Sequence, residues 1–341
     1  MGGPRADTGN GAHVATRRSV LVTGGAGFIG ANLVRRLVAL GADVAVLDDL
    51  SVGTRSNLRG LPVRLVEASV LDRDAVRQAV AGREWIVHLA AQTGVPASIA
   101  DPWHDCTVNV SGTLNVLEAV REVYDRDGSG RLPRVLFASS NAVLGRQPPP
   151  AAEDRAPLPI SPYGASKLAG EGYCLAYAGA WGVPTVVLRF ANVFGPFSDQ
   201  KESVVAKFMR EALVAGTLTI HGDGAQTRDF IYVDDLCEAV IAALQSDLAG
   251  EVFQVATGVE TSIVALVDAI EQVLGRPLER TYAAGRRGDV AKSVSQIGKA
   301  ARLLGWQPRT SLLDGLQRTA RWFASEPQER AVGEPHHVAA T

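Results

Sequence analysis

Cysteine is scarce in this chain of 341 residues. Its three copies, Cys106, Cys174 and Cys237, are too few and too scattered for a disulfide framework or a metal-binding spacing. The six histidines form no zinc-type pair. Net charge is nearly absent as well: 34 basic against 36 acidic residues leave −2, no electrostatic footprint for nucleic acid or an anionic membrane. No apolar run reaches the roughly 20 residues a spanning helix needs. The N-terminus lacks the apolar core of a signal peptide. What these absences leave is a soluble, cytoplasmic protein. Aromatics are few at 6%, yet 46% of the chain is hydrophobic, the fraction of an ordinary globular core. The length allows two domains, or one large α/β domain with an embedded lobe.

Short β-branched runs alternate with amphipathic helical stretches. Ser19–Thr23 reads as a buried strand, followed by a glycine-rich turn and a helix through Leu40. Further strands are expected at Val44–Asp48, Val63–Val66, Trp85–His88, Arg134–Phe137 and Thr185–Arg189. Helices are expected near Asp72–Val80, Val108–Tyr124 and Pro162–Gly179. Alternation of this kind means right-handed βαβ units, a doubly wound parallel sheet of the Rossmann type with helices on both faces. After Asn192 the pattern becomes irregular, so residues 17–191 are expected to form the sheet domain and 192–325 mainly a smaller lobe over the strand C-termini, where such sheets bind ligands. Residues 1–16 and 326–341 are polar and aperiodic and read as disordered segments.

The first strand–helix junction reads Thr23-Gly24-Gly25-Ala26-Gly27-Phe28-Ile29-Gly30. Glycines at this spacing permit a tight turn, let backbone amides approach a pyrophosphate, and let the helix sit close to its strand. The helix N-terminus then faces the phosphates. An acidic pair, Asp48-Asp49, ends the second strand about 20 residues on, where a carboxylate takes the adenosine ribose hydroxyls. A carboxylate there repels a 2′-phosphate and favours NAD, while the nearby Arg55 and Arg59 keep NADP open.

Ser161-Pro162-Tyr163-Gly164-Ala165-Ser166-Lys167 opens another helix, with Tyr163 and Lys167 at i and i+4 on one face. A free phenol, with a pKa of about 10, is a poor base at neutral pH. A neighbouring ammonium is expected to lower that value, so the pair can move a substrate hydroxyl proton near pH 7. Ser140, on the loop after the fifth strand, is the expected third member, bonding the reacting oxygen.

Together these residues resemble the extended short-chain dehydrogenase/reductase family, in its nucleotide-sugar epimerase/dehydratase branch. The resemblance runs from Arg18 to Phe323. It rests on the glycine turn, Asp48–Ser51, His88–Gln92, Asn109–Thr113, the serine loop and the Tyr163/Lys167 pair. In the second lobe it continues through Arg189–Pro196, Gly222-Asp223-Gly224, Arg228–Ile231 and Arg286–Asp289. It implies bound NAD, contacted by Gly24, Gly27, Phe28, Ile29 and Gly30, by Asp48, Asp49, Leu50, Ser51 and Gly53, and by Ser69 and Val70. Leu89, Ala90, Ala91, Gln92, Asn109, Ser139, Tyr163 and Lys167 complete that set. It implies a UDP-sugar substrate held by Asn192, Arg228, Arg286 and Asp289, with His221 stacking on the base and Val204 and Thr219 beside it. Two arginines suit a pyrophosphate and a carboxylate suits ribose hydroxyls. Ser140, Tyr163 and Lys167 would be catalytic, no metal is implied, and family members commonly form homodimers through the helices near Val108 and Tyr163.

Departures from the family pattern narrow the reaction. Dehydratases of the branch carry an Asp-Glu pair just after the loop hydroxyl, and decarboxylases a Glu; here those places hold Asn141 and Ala142. Without the extra acid, the resemblance implies a 4-epimerase working through a transient 4-keto sugar. Ser293 stands where a bulkier residue would narrow the pocket, and Thr93, Ser139 and Ser198–Lys201 offer hydrogen bonds to a carboxylate. These residues leave room for an N-acetyl group or an acidic C6 arm, and overall likeness within the family implies the pair UDP-glucuronate and UDP-galacturonate. UDP-glucose or UDP-N-acetylglucosamine epimerisation, dehydration and net oxidoreduction remain as alternatives. The intact Ser-Tyr-Lys set disfavours a non-catalytic NAD-binding protein.

Overall fold

A computed structural model describes residues 18–127, 132–285 and 290–325. The strands are β1 (Ser19–Thr23), β2 (Asp43–Asp48), β3 (Arg64–Glu67), β4 (Trp85–His88), β5 (Arg134–Ser140), β6 (Thr185–Phe190) and β7 (Asn192–Phe194). They continue with β8 (Thr217–His221), β9 (Thr227–Arg228), β10 (Phe230–Tyr232), β11 (Glu251–Val255), β12 (Thr261–Ser262) and β13 (Glu279–Ala283). The helices are α1 (Phe28–Ala39), α2 (Arg73–Val80), α3 (Val95–Ala100), α4 (Pro102–Cys106), α5 (Gly112–Asp127) and α6 (Pro162–Trp181). Beyond them lie α7 (Val204–Val214), α8 (Val233–Gln245), α9 (Ile263–Leu274), α10 (Gly298–Leu304) and α11 (Leu312–Ala324).

Seven strands form one parallel sheet in the order β3-β2-β1-β4-β5-β6-β11. Val20, Leu21 and Val22 are all fully buried, because both faces of the sheet are covered and neither tolerates a polar side chain. Alternation along the strands divides the core. Val20, Val22, Val44 and Val46 join α1 and α8 on one face, while Leu21, Ala45 and Leu47 meet α2, α5 and α6 on the other. The chain winds outward from β1 to β3 and then returns to place β4 beside β1. This reversal opens a crevice at the C-terminal ends of β1 and β4, where such sheets take their ligands.

The expected doubly wound sheet is therefore present, with differences at its margins. β5 runs on to Ser140, three residues past the expected end, carrying the serine pair into the sheet. The helix expected from Val108 is preceded by two short helices, α3 and α4, which the apolar periodicity does not mark. A widened helical turn over Thr107–Ser111 joins α4 to α5. The division at residue 191 is crossed: β11 and α8, from the segment assigned to the second lobe, complete the main sheet and its covering layer. Of the remainder of that segment, α7, β8, α9, α10 and α11 share the same continuous core. The two segments read as disordered lie outside the described residues.

Candidate active site

The glycine turn is shaped by close approach of backbones. A Cβ on Gly24, whose φ is +71°, would lie 2.7 Å from the Ala90 amide nitrogen, and one on Gly30 only 2.2 Å from the Gly24 carbonyl oxygen. A Cβ on Gly27 would meet only the Gly24 oxygen, at 3.4 Å, so the packing of the chain itself does not require glycine there. Helix α1 starts there with no side-chain cap and no acidic residue in its first turn, which leaves its positive end available to a phosphate. Gly53 closes over the turn, where a Cβ would come 2.7 Å from the Ala26 carbonyl carbon. The residues present thus fit a dinucleotide pyrophosphate.

Asp48 and Asp49 divide their work. Asp48, 7% exposed, accepts hydrogen bonds from the Ala26 and Leu50 amides, both at 2.9 Å. It braces the turn, and burial raises its pKa against the lowering effect of those two bonds. One lone pair on each oxygen is thereby committed, and a second on each remains able to accept. Asp49 is exposed and accepts from the Ser51 amide at 3.0 Å and the Ser51 hydroxyl at 2.6 Å. Leu50 between them has a φ of +59°. Phe28 is buried and Ile29 partly so. Val70 is 4% exposed and wedged against Gly112, so it can offer a ligand little but backbone, while Ser69 stays half-buried with its hydroxyl accepting from the Leu71 amide.

Leu89, Ala90, Ala91 and Gln92 line the crevice as half-buried residues. Their loop is fastened by Thr23 Oγ1, which accepts from the Ala90 amide at 3.2 Å, and by Asn109. Asn109 Oδ1 accepts from the Gln92 amide at 2.8 Å. Its Nδ2 reaches the Gln92 carbonyl, Asp105 Oδ1 and Ser166 Oγ at 3.0, 3.1 and 3.0 Å. At 2% exposure its side chain is spent on these bonds. Asn109 therefore braces the loop that lines the crevice.

Helix α6 is started by Ser161, whose Oγ accepts from the Gly164 amide at 3.1 Å, with Pro162 at the first helical position. That puts Tyr163 in the first turn, half-buried and hydrogen-bonded to Ser140. Lys167, 3% exposed, donates to the Ala138 carbonyl at 2.9 Å and lies 5.0 Å from the centre of the Phe137 ring. Ser140, Tyr163 and Lys167 are thus brought together as expected. The expected lowering of the phenol pKa is absent: burial pushes it up to about 12, opposed by the Ser140 bond and reinforced by the charge of Asp105. Burial also pulls Lys167 down to about 8. The protein by itself holds a protonated phenol beside a lysine whose charge is in balance at mildly alkaline pH.

Ser139 does not face the crevice with its hydroxyl. It donates to Glu171 Oε1 at 2.5 Å, and Glu171 takes two further bonds from Arg189 at 2.9 and 2.8 Å. All three are at most 3% exposed. The hydroxyl clamps β5, α6 and β6 together, one residue from Ser140. Asn141 donates to Ser295 at 2.9 Å, and Ala142 follows it in a tight turn capped by Ser140. Neither supplies an acid.

Across the crevice, Lys201 donates to the Thr93 hydroxyl at 2.8 Å, joining the second lobe to the loop after β4. Burial lowers the Lys201 pKa, and its charge is among those that lower Lys167. Arg228 donates to the Thr227 and Val290 carbonyls, both at 2.7 Å. His221 Nδ1 is 3.2 Å from the Ala284 carbonyl, and Thr219 accepts from Thr281. Asn192, Val204 and Ser293 are half-buried. Arg286 and Asp289 lie outside the described residues. Sequence reasoning missed three residues here. Glu171 was legible as i+4 from Lys167. Asp229 was noted only inside a motif, yet it is fully buried and accepts four bonds from Thr257, Gly258 and Ser295. Asp105 had no signal beyond its place four residues before Asn109. Among the described residues no group of His, Cys, Asp and Glu could hold a metal ion, and no helix is long and apolar enough to cross a membrane.

Residues 20–256 match the NAD dependent epimerase/dehydratase family. The chain is 39% identical over 317 residues to the UDP-glucose 4-epimerase of Mycolicibacterium smegmatis, covering 90% of this chain and 99% of that one. Among solved structures it resembles the UDP-glucose 4-epimerase of Thermotoga maritima with UDP-glucose, with TM-score 0.83 and 35% identity over 89% of this chain and 98% of that one. It also resembles the UDP-glucuronic acid 4-epimerase of Bacillus cereus in complex with UDP-glucuronic acid and NAD, with TM-score 0.82 and 29% identity over the same shares.

Proposed function

Because the chain belongs to the NAD-dependent epimerase/dehydratase family, we propose that it inverts C4 of a UDP-hexose through a transient 4-keto sugar, with NAD as the resident cofactor. The observation that carries this reading is the Ser140–Tyr163–Lys167 constellation at the edge of the dinucleotide crevice, with Asn141 and Ala142 where a dehydratase or decarboxylase needs acids.

Tyr163 removes the proton of the 4-hydroxyl and returns it to the same oxygen once C4 has been inverted. Ser140 holds the reacting oxygen, and Lys167 stabilises the phenolate. NAD, when bound at the glycine turn, supplies a hydride acceptor that gives its hydride back, and a positive charge that draws the phenol pKa down from its buried value. Arg228, Arg286, Asp289, His221, Asn192, Val204 and Thr219 hold the UDP end. That end does not react, so its binding energy retains the ketone while the sugar turns over.

The sugar in this reading is a hexuronate, UDP-glucuronate interconverting with UDP-galacturonate. Support comes from Lys201, a half-buried cation that reaches across to Thr93 and has no acidic partner among the described residues, and from the small Ser293. The protein is a cytoplasmic homodimer in the same reading. Exposed Ile99, Trp103 and Tyr173, beside an apolar groove of about 250 Å³ between α4 and α6, suit a second copy. The deciding experiment incubates the protein with UDP-glucose, UDP-N-acetylglucosamine and UDP-glucuronate and follows the products by NMR. The 4-epimer of UDP-glucuronate supports the reading; a dehydrated, decarboxylated or oxidised product refutes it.

A further inference from the structure

Asp105 is a buried acid that the mechanism above does not use. It sits on the short helix α4, is 1% exposed, and borders the groove against α6 with Pro102, Cys106 and Ser166. One carboxylate oxygen accepts from Asn109 Nδ2 at 3.1 Å. The other is fully buried and has no hydrogen-bond partner. An unpaired carboxylate oxygen in such a place is costly unless its charge serves a neighbour. A chain of hydrogen bonds shows which neighbour. Asn109 passes to Ser166 Oγ at 3.0 Å, and Ser166 donates to the Tyr163 carbonyl at 3.1 Å. Asp105 is thus fastened to the turn of α6 that carries both Tyr163 and Lys167.

We propose that Asp105 is the counter-charge of the catalytic pair: a positioning residue that never touches substrate and keeps the buried Lys167 cationic. The other groups in the neighbourhood cannot do this. Glu171 lies on the same helix but is neutralised by Arg189 and bonded to Ser139. Lys201 opposes a second positive charge. His88, held by Thr23 and Thr113, is neutral because burial drops its pKa to about 3. Burial pushes the Cys174 thiol up, so it carries no charge either. His104 on the same helix as Asp105 is exposed. Among these, Asp105 contributes the largest effect that holds the proton on Lys167, and it raises the Tyr163 phenol as well.

The sign of the effect is fixed by this arrangement. Removing the negative charge lets both Lys167 and Tyr163 lose their protons more readily, so both limbs of the pH–rate profile move toward acid. The inference rests on the epimerase reading only for that assay. Asp105→Asn keeps the shape and the bond from Asn109 while deleting the charge. Its profile is expected to shift by roughly one pH unit toward acid, with about tenfold lower turnover than wild type at pH 8.5 and undiminished turnover near pH 6. Asp105→Glu restores the original limbs. If Asp105→Asn does not fold, Asp105→Ser gives the same reading. A second readout needs no turnover: the phenolate absorbance difference between the NAD-loaded protein and its Tyr163→Phe variant, titrated with and without Asp105→Asn, shows the same acid shift. Limbs at the wild-type pH, or a loss equal at every pH, overturn the proposal. An inactive wild type with a shifted phenol titration refutes the epimerase reading and leaves the counter-charge standing.

Discussion

Three glycines separate what the turn does for the fold from what it does for the cofactor. A Cβ on Gly30 would lie 2.2 Å from the Gly24 oxygen and 2.6 Å from the Gly25 Cα, all backbone that cannot swing aside. Gly30→Ala therefore forces α1 away from β1, an overpacking cost of about 1–3 kcal/mol or more, and lowers the melting temperature by several degrees. Gly27→Ala meets only one backbone oxygen, at 3.4 Å, an ordinary contact. Its melting temperature without cofactor should match wild type, or rise slightly as the unfolded chain loses entropy. The added methyl, however, stands at the uncapped start of α1, where the pyrophosphate must touch backbone. NAD affinity should fall by one to two orders of magnitude, about 1.4–2.8 kcal/mol. Gly179→Ala, with nothing within 4 Å on the exposed side of α6, is the control: stability rises by up to about 1 kcal/mol and NAD binding is unchanged. Calorimetric titration of NAD into cofactor-stripped protein, with thermal unfolding alongside, reads both quantities. Wild-type NAD affinity in Gly27→Ala refutes the placement of the pyrophosphate.

Further outcomes follow from the same geometry. Tyr163→Phe removes the proton-transfer group and should cost about 10²–10⁴-fold in turnover while NAD stays bound, read by product formation and by cofactor released on denaturation. Glu171→Ala leaves Arg189 charged in a site where both side chains are at most 4% exposed, so unfolding free energy should drop by about 3–5 kcal/mol in chemical denaturation. Lys201→Met should lower kcat/KM for UDP-glucuronate at least tenfold more than for UDP-glucose; equal losses contradict a role in reading the carboxylate. His88, neutral in the fold with a pKa near 3, takes up its proton in the unfolded chain near pH 6.5. The unfolded state then binds more protons between those values, so stability falls as pH drops below about 6.5, by up to about 1.4 kcal/mol per unit from this group. His88→Gln should lose that part of the slope.

Much of this architecture was legible in the chain. The glycine spacing, the acidic end of the second strand and Tyr163 four residues before Lys167 are local patterns. Local patterns survive in sequence because each rests on one turn or one helix face. What stayed hidden depends on contacts between distant segments. Ser139 and Ser140 are indistinguishable as letters. The pleat of β5, which carries them, sends one hydroxyl to Glu171 and the other toward Tyr163. Asn109 matches a motif that suggests a cofactor contact, yet four polar partners from three elements consume its side chain. The orphan oxygen of Asp105 is a product of packing α4 against α6. β11 pairs with β6 across sixty intervening residues that hold α7, α8 and four short strands, a pairing with no local signature.

In the proposed reaction one carbon is oxidised and reduced in place, with no other bond of the sugar touched. UDP-glucuronate deuterated at C4 follows that carbon. The NAD-loaded protein should yield UDP-galacturonate with the deuterium still on C4, no solvent hydrogen at C5, and no accumulation of NADH. Loss of the label to solvent, exchange at C5, or steady growth of NADH absorbance would contradict it.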